Sequence, residues 1–266
     1  MSVLLVIPAR YASSRYPGKP LVELRGARGE ARSLIRRSWD AAISAEGVDR
    51  VVVATDDSRI ADAARAFGAE VAMTPDTCRN GTERCAVVAA DLGGMHEIVV
   101  NLQGDAPLTP PWFVSALIAA MQADTTRFVT TPVLRCDAAA LAGFLDDRRN
   151  GRVGATTAVF DRSGRALYFS KEVLPYTGRP LGPEDTIPVF HHVGVYAYRP
   201  AALLAYPSWA PGPLESWEGL EQLRFMENGI PVHCVEVRSR GQAFWELNNP
   251  SDVERIEAIL AELGRD

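Results

Sequence analysis

The sequence has no long apolar run. Its first hydrophobic stretch is Val3, Leu4, Leu5, Val6 and Ile7, and it stops at Pro8. That is too short for a membrane span or a secretory leader, so a soluble cytoplasmic protein that meets no membrane is the expectation. Cysteine is scarce. Cys78, Cys85, Cys136 and Cys234 form no C-x-x-C pair and have no companion histidine at zinc-site spacing, which points to buried free thiols. The Walker spacing G-x-x-x-x-G-K-[ST] is missing, and so is a G-x-G-x-x-G after the first strand, which excludes two familiar glycine-rich phosphate loops. Positive charge is not in surplus either. Lys and Arg number 28 against 33 Asp and Glu, a net charge of -5 that argues against a general nucleic-acid binder. There is no internal repeat and no low-complexity tract.

What is present is organised around residues 3–21. The five apolar residues suit a strand buried on both faces, as in a parallel sheet, with Pro8 expected to end it. The loop that follows has Gly18 between two prolines and carries Arg10, Arg15 and Lys19. Three cations at the C-terminal edge of a strand suit a polyphosphate, because open α/β sheets bind ligands there and Arg and Lys match phosphate oxygens. A solvated basic loop is the plainer alternative. At 266 residues with 47% hydrophobic content, the chain supports one large core, or a main domain with a smaller excursion.

Further on, periodicity predicts a helix over 31–44, a strand over 50–55, a helix over 58–67 and strands over 70–73 and 97–102. A strand over 127–134 and a helix over 138–145 continue the series. Polar turns at several strand ends, among them Gln103-Gly104-Asp105, then fall on one edge. Beyond this point the pattern changes. It predicts a hairpin over 156–170, a proline-rich loop over 175–188, a strand over 191–198 and a helix over 220–227 closed by Asn228-Gly229. A strand over 232–237 and a helix over 251–263 complete the chain.

Two more strings carry chemistry. Asn80-Gly81-Thr82-Glu83-Arg84 opens a helix running through Ala90, where free N–H groups make an anion- or base-binding corner, although a Thr that only caps the helix would explain it too. In Asn101-Leu102-Gln103-Gly104-Asp105-Ala106-Pro107, Gln103 has both an amide donor and an acceptor for a base edge. A carboxylate at a strand end, such as Asp105, either holds a divalent ion or caps a turn.

These segments resemble the CTP-dependent sugar-acid cytidylyltransferases, nearest to the 3-deoxy-manno-octulosonate (KDO) type. The resemblance implies an α/β fold: a doubly wound, mostly parallel sheet like that of nucleotide-diphospho-sugar transferases, with a small inserted β-rich acceptor and dimerisation portion. It implies one domain over 1–266, with a CTP-binding half over 1–135, an acceptor and dimerisation half over 136–240, and a C-terminal return to the main sheet over 241–266. By the same resemblance Arg10, Arg15, Lys19 and Asp105 are the catalytic set, Asp105 holding Mg²⁺. Ala9, Asn80, Gly81, Thr82, Arg84 and Gln103 complete the CTP site. Lys171, His192, Tyr196, Glu215 and Asn248 belong to the acceptor side, and a homodimer is implied.

Against the family pattern, Ala106 stands where Glu is usual, Thr157 where Lys is common, Lys171 for Arg, and His191 for Arg or Lys. Leu247-Asn248-Asn249-Pro250-Ser251-Asp252 matches V-D-T-P-E-D, so Asn248 replaces a metal-binding Asp. These departures cluster on the acceptor side. They predict CMP transfer to a small acid that is already ionised, such as the phosphonate phosphonoformate, since Asn248 would serve a poorly acidic hydroxyl less well. KDO transfer itself, a non-catalytic nucleotide sensor and a guanylyl- or uridylyl-transferring relative are the alternatives. Glu221 and Arg224, three apart on an expected helix, should pair with each other or face solvent.

Overall fold

The computed structural model describes residues 1–12, 16–153, 155–182 and 184–266. Strand β1 (Val3–Ala9) is buried along its whole length, and the sheet is built outward from it. Pro8 does not end the strand. Its carbonyl faces Gly104, so the edge from which it lacks an N–H is one where β6 has stopped pairing after Val6. A small hairpin, β2 (Glu23–Arg25) and β3 (Ala31–Ser33), precedes helix α1 (Leu34–Ile43), so the start of the helix expected over 31–44 is a strand. Ser33 then caps α1.

Strand β4 (Arg50–Thr55), helix α2 (Ser58–Ala66), strand β5 (Glu70–Met73), helix α3 (Gly81–Asp91) and strand β6 (Ile98–Leu102) follow. They complete a parallel half in the order β5-β4-β1-β6. Alternation along β1 feeds two cores. Leu4 and Val6 pack with Cys85, Val88 and Ala89 of α3, whereas Val3, Leu5 and Ile7 pack with Ile35 and Ile60 and with Phe113 and Leu117.

The last two belong to α4 (Pro111–Ala123), which no sequence pattern anticipated. After it come β7 (Val129–Arg135), α5 (Ala138–Arg149), β8 (Thr156–Phe160), β9 (Ala166–Ser170), β10 (Phe190–His192) and β11 (Val195–Tyr198). The chain ends with α6 (Pro200–Ala205), α7 (Pro213–Glu218), α8 (Leu223–Glu227), β12 (Val232–Val237) and α9 (Asp252–Glu262). The strand expected over 191–198 is thus two strands, broken at Val193 and Gly194. Strand β11 lies antiparallel between β6 and β7, while β10 and the β8-β9 hairpin extend the same ten-stranded sheet. Strand β12 pairs in parallel with β7. The sheet is therefore parallel in its first half and mixed beyond.

The helix expected over 251–263 is α9. Ile256, Ile259 and Leu260 of α9 close over Leu24, Leu34, Leu108 and Leu247. The four cysteines are buried free thiols. Among the described residues no helix is long and apolar enough to cross a membrane.

Candidate active site

Two strand ends and one C-terminal loop build the site. Behind β1, Ala9 is buried and Arg10 is exposed at the sheet edge. Gly18 has φ +72°, and its N–H donates to the Tyr11 carbonyl at 2.9 Å, which closes the loop and delivers Lys19 on a single 3-10 turn. Arg15 lies outside the described residues. The Lys19 ammonium reaches Asp105 Oδ2 at 2.6 Å and the Leu247 carbonyl at 3.2 Å, and the Leu247 N–H donates to the Asp105 carbonyl at 2.9 Å. The loop carrying Asn248 is thereby pinned beside Asp105 and Lys19, residues distant in sequence.

The second strand end is β6. Gly81, the first residue of α3, lies so close that a Cβ there would meet Gln103 Nε2 at 2.8 Å and Pro8 Cγ at 3.2 Å. The helix start is capped by Asn80, whose Oδ1 accepts from the Glu83 N–H at 2.9 Å while its Nδ2 donates to the Tyr206 hydroxyl at 3.0 Å. The cap is therefore Asn80, not Thr82. Thr82 Oγ1 instead shares a 3.0 Å hydrogen bond with the Tyr198 hydroxyl. Arg84 is turned inward, its guanidinium on Asp56 at 2.6 Å and on Thr74 at 2.5 Å. It ties α3 to the ends of β4 and β5.

Glu221 does not pair with Arg224. It precedes α8 instead of lying on it, and its carboxylate accepts from the Thr82 N–H at 3.2 Å and from Gln103 Nε2 at 3.4 Å. Burial pushes its carboxyl above the usual range. Arg224 is enclosed elsewhere, donating to both oxygens of Glu215 at 2.6 and 2.5 Å and to Glu83 at 3.0 Å. Glu215 thus has an interior ion pair. Glu221 could not be found from the sequence, because Thr82 and Gln103 lie more than a hundred positions away.

Of the residues expected on the acceptor side, Tyr196 pairs in register with Asn101 across β11 and β6, and its hydroxyl donates to Gln222 Oε1 at 3.0 Å. The other amide atom, Gln222 Nε2, is buried and has no hydrogen-bond partner among the described residues. His192 is buried, with Nε2 at 2.9 Å from Thr131 Oγ1. That hydroxyl also lies within reach of the Val193 and Val195 carbonyls. Its single proton goes to a carbonyl, so the imidazole Nε2 is the donor to it. Burial, and then the neighbouring His191, hold its pKa down to about 3. The Lys171 N–H donates to Glu218 at 2.9 Å, and Lys171 Nζ reaches toward Gly219.

A divalent ion fits the chemistry of this edge. Asp105, Asn248 and Glu246 offer oxygen donors, the type preferred by hard cations, and among the described residues no cluster of three or more His, Cys, Asp or Glu forms a closed cage. One or two carboxylates with substrate phosphates is the usual arrangement for such an ion.

Basic residues at the end of β1, a helix N-terminus beside β6 and a strand-end carboxylate on an α/β sheet make an edge suited to a nucleoside polyphosphate, the substrate class of nucleotidyltransferases. The particular family follows from its relatives. A sequence profile of the cytidylyltransferase family matches residues 4–237. A 3-deoxy-manno-octulosonate cytidylyltransferase of Maricaulis maris is 43% identical over 99% of both chains. The mitochondrial enzyme of that name from Arabidopsis thaliana is 37% identical over 98% of this chain and 83% of its own. A solved CMP:2-keto-3-deoxy-manno-octonic acid synthetase complexed with CTP superposes with a TM-score of 0.83 at 34% identity, over 99% of this chain and 100% of that one. The chain belongs to the cytidylyltransferase family and is a CTP-dependent nucleotidyltransferase.

Proposed function

We propose that this enzyme transfers CMP from CTP to 3-deoxy-manno-octulosonate or a closely related sugar acid, releasing pyrophosphate. The observation that carries this reading is the 43% identity over 99% of both chains to an enzyme named for that acceptor, since it spans the acceptor half as fully as the nucleotide half. The phosphonate expectation rested on departures at Ala106, Thr157, Lys171, His191 and Asn248, and for Ala106, Thr157 and His191 the structure offers local reasons. Ala106 is buried, and Thr157 is a buried fixture whose hydroxyl donates to the Glu172 carbonyl at 2.7 Å. His191 is an uncharged ring packed on Phe144, its pKa lowered by burial to about 4. None of these requires a smaller acceptor.

In this reading residues 1–135 bind CTP, residues 136–240 bind the acceptor, and the two are joined as one domain. Arg10, Arg15 and Lys19 hold the phosphates, with Ala9, Gly81, Thr82 and Gln103 along the nucleotide. Asp105 and Asn248 hold Mg²⁺, which when bound neutralises charge that develops at phosphorus. Gln222 Nε2, beside the Tyr196 hydroxyl, offers a buried donor to the acceptor's carboxylate. Catalysis then rests on placing the acceptor hydroxyl in line with the α-phosphorus among fixed charges.

A homodimer belongs to the same reading. Trp217 of α7 is 90% exposed and Leu167 of β9 is 58% exposed. Glu218 joins α7 to β9 through Ser170 Oγ and the Lys171 N–H, and β9 is the last strand of the sheet. Buried free thiols suit a reducing compartment, and the cytoplasm is the proposed location.

The test is incubation with CTP and Mg²⁺ against KDO and phosphonoformate in parallel, read by mass spectrometry for a new CMP conjugate and by kcat/KM. KDO should be the better acceptor. A higher kcat/KM on phosphonoformate would restore the phosphonate reading.

A further inference from the structure

Residue 248 is neutral, yet the loop around it carries a carboxylate of its own. Leu247 is buried with Leu24, Leu34 and Leu108, and its backbone is held from both sides by Asp105 and Lys19. Its neighbours therefore turn the other way, and Glu246 and Asn248 share one side of the segment. Contact confirms it: Asn248 Nδ2 donates to Glu246 Oε2 at 3.4 Å. The other oxygen, Oε1, lies near Gly194, where an added Cβ would stand 3.8 Å from it and 3.9 Å from Gln103 Cγ. One carboxylate oxygen of Glu246 thus touches Asn248, and the other has Gly194 as a neighbour in common with the Gln103 side chain. A side chain one methylene longer than Asp, starting two residues earlier, brings its carboxylate to the Asn248 amide.

We propose that Glu246 supplies to the divalent ion of this site the carboxylate that Asn248 lacks, so that Asp105 and Glu246 together form the anionic pair. The inference rests on the metal-assisted cytidylyl transfer proposed above. Its physical basis is charge. The Asp105 carboxylate already faces the Lys19 ammonium at 2.6 Å, and a neutral amide at 248 attracts a dication less than a carboxylate would. Glu246 restores that attraction in the same loop.

The test measures CTP binding by calorimetry, without acceptor, in Mg²⁺ and in EDTA. The ratio of the two affinities is the coupling between ion and nucleotide. Glu246→Gln should lose about tenfold of the Mg²⁺ benefit while binding CTP in EDTA at least as well as the parent. Glu246→Gln with Asn248→Asp should recover it. In the otherwise native chain, Asn248→Asp should change the benefit by less than about threefold, because the second carboxylate is already present. An undiminished Mg²⁺ benefit in Glu246→Gln, or a gain of tenfold or more in Asn248→Asp alone, overturns the assignment of Glu246. Absence of any Mg²⁺ benefit and of any CMP transfer in the parent chain instead overturns the functional reading beneath it.

Discussion

Lys19 stands between two partners, the Asp105 carboxylate and the Leu247 carbonyl, with its side chain 14% exposed. In the proposed function a triphosphate arriving at this edge competes for the same ammonium, which gives Lys19 a ligand role besides the contacts it makes in the fold. Lys19→Ala should lower kcat/KM for CTP by about 10²-fold, the usual loss when one charge-stabilising donor is removed. Stability should fall by only ~1 kcal/mol, because the pair is partly open to water. Parallel kinetics and urea unfolding check both halves of this expectation, and unchanged turnover would remove Lys19 from the phosphate site. His192 makes a different kind of prediction. Its pKa falls from 6.5 to about 3 on folding, so between those values the unfolded chain binds the extra proton. Its stabilising contribution is present above pH 6.5 and is lost as the pH falls. Relative to His192→Gln, the parent should lose roughly 1 kcal/mol of unfolding free energy between pH 6 and pH 5. Denaturant titrations at the two pH values measure it.

At the scale of elements, the close approach of β1 to the turn after β6 sets the shape of the nucleotide edge. A Cβ on Gly104 would lie 2.8 Å from the Pro8 carbonyl oxygen, which belongs to the buried backbone of β1 and cannot swing aside. Gly104→Ala should therefore cost about 1–3 kcal/mol and displace Asp105, so both the unfolding midpoint and activity should drop. A variant of parental stability would show that the turn can relax. This edge was legible in sequence because short apolar runs such as 3–7 and 98–102 end abruptly in polar turns, and strand period with turn chemistry is local information. Helix α4 was not legible. Its sequence, PWFVSALIAAMQA, is apolar almost all round, so no amphipathic stripe marks it, and its burial comes from strands on both sides of it in sequence. The break at Val193 and Gly194 was hidden for a related reason, since HHVGVYAY reads as one strand until β7, β8 and β6 claim its two parts. Glu221 and Glu246 escaped because their significance lies in distant partners. Three-residue spacing suggested an ion pair with Arg224, and only the tertiary fold turns Glu221 toward Thr82 and Gln103.

At the scale of the whole molecule, the proposed function divides the chain into residues 1–135 and 136–240 and adds a second copy, and each junction makes a prediction. For the second copy, Trp217→Glu should convert an assembly of about twice 28.9 kDa to one of 28.9 kDa in light scattering, since a charge at the centre of an apolar contact is strongly disfavoured. An unchanged mass would place the interface elsewhere, or show that there is none.

Within one chain the two halves are joined through Arg224, which is 1% exposed and bonds Glu215 of α7 and Glu83 of α3 at once, with its guanidinium 4.2 Å from the centre of the Tyr206 ring. Burial drives the Glu83 carboxyl upward, yet hydrogen bonds from Arg79 and then Arg224 outweigh it and hold the group below its usual range. Arg224→Met would leave the Glu215 carboxylate buried without its cation, whereas Glu83 would keep Arg79. The expected loss is about 3–5 kcal/mol, the penalty for an uncompensated buried charge more than the worth of the pair itself. Adding Glu215→Gln should therefore recover most of that loss, although it removes one more polar contact. Because Glu83 lies in the first turn of α3, next to Thr82 and Gly81, the single variant should also bind CTP more weakly, and the double variant less so. Guanidinium unfolding and CTP calorimetry on the same three proteins decide the matter. A double variant no more stable than the single one would mean that Arg224 acts through packing on Tyr206 and not through its charge.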